Sequence, residues 1–160
     1  MILKVGKGTY EIIQKKEIIL TTDYLGSGIA LGFMHKSQPI YGLLNYIFPY
    51  KENDIEIDGN WIYSGETLLN LWQDALFTLN MDLREAKWIL AGASLFKEHP
   101  SFLELGEKNL KVAEIWLKKQ GILDQTIMVI KEPSPLILRI NGKEKKFEIT
   151  KLKNKVELYE

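Results

Sequence analysis

Short apolar runs dominate the first third of the chain, and a helical repeat replaces them further on. Residues 17–21, 29–34 and 40–48 are such runs, broken by glycines and closed by Pro49, and they predict strands. Residues 51–58 are polar and predict a loop. From about residue 61 to residue 80, Leu68, Leu69, Trp72, Ala75, Leu76 and Leu79 recur at helical spacing and predict an amphipathic helix. Residues 87–90 predict a short buried strand that enters Ala91-Gly92-Ala93-Ser94. A second helix is expected over residues 105–120, with Leu110, Ala113, Trp116 and Leu117 on its stripe and Gly121 as its stop. Residues 126–130, 136–140 and 146–152 predict further strands. The last two are joined at Asn141-Gly142, a pair that tolerates positive φ and predicts a hairpin turn. No Gly/Ser-rich linker and no repeat divides the 160 residues, so the pattern predicts one α+β domain over residues 1–160.

Composition narrows the chemistry. The chain is 46% hydrophobic and 26% charged, with 21 basic and 21 acidic residues, so no global field draws it to nucleic acid or to a membrane. Its start lacks the apolar stretch of a signal peptide, and no segment is apolar for long enough to insert in a bilayer; a cytoplasmic protein is expected. Cysteine is absent, and histidine occurs only as His35 and His99. That excludes disulfides, thiolate metal sites and a thiol nucleophile, and neither a metal nor a cofactor is expected.

One run carries a more specific signal. Leu20-Thr21-Thr22-Asp23-Tyr24-Leu25-Gly26-Ser27-Gly28-Ile29-Ala30 resembles the L-x-T-x-x-L-G-S-C-V/I-A segment of the CheD family, the chemoreceptor glutamine deamidases. Ile40-Tyr41-Gly42-Leu43-Leu44-Asn45-Tyr46-Ile47-Phe48-Pro49 is similar to the family's G-G-x-x-H-x-x-L-P stretch, and residues 63–69 to the start of its first helix. Leu90-Ala91-Gly92-Ala93-Ser94-Leu95-Phe96 resembles its F-G-G-A-x-M-F loop, and Leu105-Gly106-Glu107-Lys108-Asn109 its I-G-x-R-N helix start. The motifs follow the family's order over roughly residues 2–130.

The resemblance implies a layered α/β/β/α sandwich with mixed, largely antiparallel sheets. It also implies a site, in which the family's catalytic Cys falls on Gly28, its His on Asn45, and a third site residue on Thr22. Gly28 has no side chain to attack an amide, and Asn45 does not titrate near neutrality and cannot pass a proton. Losing both partners of such a unit removes its chemistry. Near Lys131-Glu132-Pro133-Ser134-Pro135 the family's G-G-x-x-G-R segment, expected at the rim of the site, is also missing. The expectation is a CheD-like protein without catalysis, which binds a chemoreceptor cytoplasmic segment or a CheC-type phosphatase. Two alternatives stand beside it: an active protein-glutamine deamidase or amidase using a nucleophile other than Cys, for which Ser27 and Thr22 are the residues to substitute, and a scaffold protein outside chemotaxis. Tyr46, Phe48, Gly92, Ala93 and Ser94 are candidates for the pocket or a partner surface, with Tyr50 beside them.

Other motifs read as structure. Asp54-Ile55-Glu56-Ile57-Asp58-Gly59 loosely matches a calcium loop, but the twelfth-position ligand falls on Gly65, so a solvated loop or strand is expected. Lys143, Lys145, Lys146, Lys151, Lys153 and Lys155 fit the protection of an edge hairpin. Trp61, Trp72, Trp88 and Trp116 are expected in the core, His99 in a loop, and Ser101 with Glu104 at a local cap.

Overall fold

The computed structural model describes residues 1–95, 99–152 and 155–159; the expectations that touch Phe96, Glu98 and Lys153 lie outside them. The elements run β1 (Ile2–Lys4), β2 (Thr9–Gln14), β3 (Ile19–Thr21), β4 (Ile29–His35), β5 (Ile40–Tyr46), β6 (Ile55–Ile57) and β7 (Asn60–Ile62). Then follow α1 (Gly65–Thr78), β8 (Ala86–Gly92), α2 (Pro100–Lys119), β9 (Thr126–Ile130), β10 (Leu136–Asn141), β11 (Lys146–Lys151) and β12 (Lys155–Tyr159). A central sheet has the order β2-β5-β4-β8-β9, a second sheet the order β1-β3-β10-β11-β12, and β6 pairs with β7 alone. Neighbours are antiparallel except β8 with β9 and β1 with β3. The class is α+β, as expected.

β4 shows why the layers stack. All seven of its residues are buried, which marks a strand covered on both faces. Ile29, Leu31 and Phe33 face the helices, and Ala30 and Met34 face the second sheet, because successive side chains alternate. α1 contributes Leu68, Leu69, Trp72 and Leu76 to the helix side, and α2 contributes Leu110, Ala113, Trp116 and Leu117. Phe33 lies 5.4 Å from Trp72 and 5.1 Å from Trp88 between ring centroids, and Trp88 meets Trp116 at 6.0 Å. Such pairs add roughly 1 kcal/mol each beyond their burial. Leu20, Leu138, Ile140, Phe147 and Ile149 fill the space between the sheets. Both α-helices pack on one face of the central sheet, so the described residues stack as helices, sheet, sheet. Among them no helix covers the outer face of the second sheet, and none is long and apolar enough to cross a membrane.

Several boundaries differ from expectation for physical reasons. α1 begins at Gly65, not near residue 61, because residues 60–62 pair with β6 and Ser64 caps the helix by accepting from Thr67 N at 3.3 Å. The expected loop at 51–58 therefore contains a strand, and its turn is Asp58-Gly59, with φ of 51° and 82°, the two-residue hairpin geometry. Asp54 accepts from Ser64 N and from the Thr67 hydroxyl, both at 2.6 Å. Burial raises its pKa, but these bonds and the nearby Lys51 outweigh burial and hold the carboxyl below its usual range.

Asn141-Gly142 does not form the expected two-residue turn. Asn141 pairs with Lys146, so residues 142–145 make the loop, and the positive φ falls on Lys145. Gly142 is needed because the Tyr41 ring occupies the place of a Cβ. α2 begins at Pro100, with His99 as its N-cap, and Ser101 and Glu104 lie within it. β1, β2 and β12 have no counterpart in the expected elements, and β12 forms the edge beyond β11. Trp72, Trp88 and Trp116 are buried, whereas Trp61 is 45% exposed and stacks on Tyr63.

Candidate functional site

The run between β3 and β4 is pinned at Leu25, which exchanges backbone hydrogen bonds with Leu136 at 2.6 and 3.3 Å. The chain then bends through Gly26 and Ser27, and the protein takes up every carbonyl of that bend. Gly26 O accepts from Ser94 N at 2.8 Å, and Gly28 O from Ala93 N at 2.9 Å. Ser27 O accepts from Asn109 Nδ2 at 2.9 Å, and the same nitrogen donates to Ile47 O at 3.1 Å. Both partners are carbonyls, which settles the orientation of the amide. Asn109 is fully buried on α2, so one side chain ties the turn to the end of β5. Its Oδ1 is buried without a partner among the described residues.

Strained backbone at the end of β8 supports this arrangement. Gly92 has φ of 118°, and a Cβ there would collide with Gly28 O. Ala93 follows at φ of 49°, a left-handed conformation that costs a residue with a Cβ roughly 1–2 kcal/mol. This geometry aims Ala93 N and Ser94 N at the turn. The Ser94 hydroxyl lies 3.2 Å from both Leu25 O and Ser134 O, and shares one proton between them. Lys131 N donates to Gly92 O, and Leu95 N to Glu132 O, so the segment expected at the rim braces this scaffold.

In front of the turn lies a cleft of about 230 Å³. Ser27, Gly28 and Asn45 line it, together with Lys7, Asp23, Tyr24, Leu25, Gly26, Ile47 and Phe102. A Cβ on Gly28 would stand 2.9 Å from Tyr46 O and 3.3 Å from Ile47 Cγ2, so the end of β5 has closed over the position. Asn45 donates both amide hydrogens to the backbone, to Val5 O at 3.0 Å and Gly6 O at 3.1 Å. It fastens the β1–β2 connection to β5. The Ser27 hydroxyl meets no base through a hydrogen bond among the described residues. His35 is engaged at the far end of β4, and His99 lies against Phe102 with ring centroids 5.4 Å apart.

Thr22 does not line the cleft. It is buried, its N–H donates to Leu138 O at 3.0 Å, and its hydroxyl accepts from Leu138 N at 3.1 Å. Four further candidates are corrected. Gly92, Ala93 and Ser94 are buried behind the turn rather than presented on a surface. Tyr46 is wholly buried because it faces the helices; its hydroxyl donates to Asn109 O at 2.5 Å, and burial raises its pKa. Phe48 is half-buried and Tyr50 exposed, and neither lines the cleft.

Asp23 and Tyr24 join the site from the same run as the turn, whereas Lys7 and Phe102 come from separate segments without a local sequence signal. Asn109 did carry one. It sits four residues before Ala113 and seven before Trp116, on the apolar stripe, where a polar residue demands a buried partner. Among the described residues no group of three or more His, Asp or Glu side chains is placed to hold a metal ion. The chain matches no protein-family model and no curated protein.

Proposed function

We propose that this is a catalytically degenerate CheD-like protein of the cytoplasm. It acts in chemotaxis signalling by binding a chemoreceptor cytoplasmic segment or a CheC-type phosphatase. The observation that carries this reading is the state of two positions that meet at the cleft. Gly28 offers no nucleophile and its Cβ space is closed by Tyr46 O, while Asn45 gives both amide hydrogens to Val5 O and Gly6 O. Amide hydrolysis needs a nucleophile, a base to activate it and an acid for departing ammonia. A cleft with backbone polar groups and apolar walls can hold a side chain without converting it. The order of the motifs and the two stacked sheets under one helical layer support a CheD-like fold, although the second helical layer of the expected α/β/β/α sandwich is absent among the described residues.

The test is intact-mass analysis of a receptor cytoplasmic fragment incubated with the purified protein, alongside co-elution of the protein with that fragment or with the phosphatase. No mass increase for Gln-to-Glu conversion is expected, together with a stable complex. A mass increase that Ser27→Ala abolishes would replace the binding reading with the enzymatic one.

A further inference from the structure

The cleft exposes hydrogen-bond capacity that none of the described residues uses. A trans peptide holds its C=O and N–H in opposite directions. Leu25 O is engaged by Leu136 N and the Ser94 hydroxyl, Gly26 O by Ser94 N, and Ser27 O by Asn109 Nδ2. The N–H groups of Gly26, Ser27 and Gly28 therefore point away from the scaffold that holds those carbonyls. Among the described residues none of the three donates to an acceptor, and all three residues line the cleft. Partly or fully buried N–H groups left in this way are rare in folded proteins. The Ser27 hydroxyl is a further donor at the same place.

Charge has the same sense. Lys7 stands on the lining, exposed, and makes no ion pair among the described residues. Asp23, the acidic residue of the lining, is exposed and pairs with Lys4 at 3.5 Å, which offsets part of its charge. Leu25, Ile47 and Phe102 add apolar wall. Consecutive backbone donors, a free ammonium and an apolar wall together suit an anionic oxygen pair carried on a short hydrocarbon stem.

We propose that the cleft is a carboxylate receptor and that its ligand is a glutamyl side chain of the partner protein. This rests on the binding function proposed above and names what is bound. Glutamine suits the cleft less well. Its NH2 needs an acceptor, and the carbonyls from Leu25 to Gly28 are already bonded. The acceptors left on the lining are Asp23, which pairs with Lys4, and the side-chain oxygens of Ser27 and Asn45, against three backbone N–H groups, the Ser27 hydroxyl and Lys7 as donors.

The experiment titrates the 15N-labelled full chain with N-acetyl-glutamic acid amide, N-acetyl-glutamine amide and N-acetylglycine, following backbone amide resonances. The first compound should move the Gly26, Ser27 and Gly28 resonances saturably, with weak affinity fitting a ligand this small. Lys7→Ala, at an exposed position, should weaken it about threefold, and high salt should do the same. Equal or tighter binding of the glutamine compound overturns the carboxylate assignment. An equal response to N-acetylglycine overturns the glutamyl assignment, because a chain-terminal carboxylate then serves as well. The absence of any response overturns both. None of these outcomes alters the mass analysis or the co-elution that judge the binding function itself.

Discussion

The two ends of β4 handle polar groups in opposite ways. At the C-terminal end His35 is buried, and its Nδ1 accepts from Ser37 N at 3.1 Å and Gln38 N at 2.9 Å. Two donors on one nitrogen place the ring proton on Nε2, which lies 3.3 Å from Glu85 Oε2. The cluster closes the turn into β5 and both ring nitrogens have partners. At the N-terminal end the protein engages the carbonyls of residues 25–28, but among the described residues the N–H groups of residues 26–28 have no acceptor beside the cleft. A cluster that satisfies itself stabilises a turn and nothing more. One that satisfies half of its groups holds the turn and keeps the other half for a ligand.

The strongest way to break this contrast is at Gly92. An alanine there takes a backbone conformation open to glycine alone and drives its Cβ into Gly28 O. Gly92→Ala should lower stability in urea denaturation by about 3 kcal/mol or more. Stability within about 0.5 kcal/mol of the parent, the range of a neutral surface change, would mean that β8 does not position the turn.

Asn109→Ala should come next. It strips Ser27 O and Ile47 O of their donor in a buried setting, a loss of about 2 kcal/mol. The partnerless Oδ1 disappears with it and offsets part of the cost. Hydrogen exchange should read faster opening at Ala93 and Ser94, whose N–H groups donate to Gly28 O and Gly26 O across the turn that α2 holds. Unchanged exchange there would show that the Ala93 and Ser94 bonds suffice alone.

What could be foreseen follows the range of the forces involved. The stripes through Trp72 and Trp116 were legible because helix burial is periodic along the chain. Asp58-Gly59 carried a hairpin signal as strong as Asn141-Gly142, yet the polar residues around it read as loop. The second pair misled because Gly142 answers to a ring at Tyr41, one hundred and one positions away in sequence. At the site, the motifs brought Gly28 and Asn45 to one cleft. Strand alternation then places Tyr46 on the opposite face from Asn45, so its burial among the helices follows from the same register. Lys7 and Phe102 reach the cleft only through the assembled fold, and no local pattern announces either.

The smallest effect belongs to the closed end of β4 and sharpens the contrast most. His35→Phe keeps a ring in place and removes the acceptor for Ser37 N and Gln38 N. Those bonds are part-buried, so water can replace some of what is lost, and the expected cost in urea denaturation is about 1 kcal/mol. The amide resonances of residues 26–28, and their response to the glutamyl compound, should stay as in the parent, because β4 separates the two turns by its whole length. Asn109→Ala should move the same resonances. If His35→Phe shifts them as strongly, the two ends are coupled through the strand, and the free donors at the cleft cannot be treated as a property of the 25–28 turn alone.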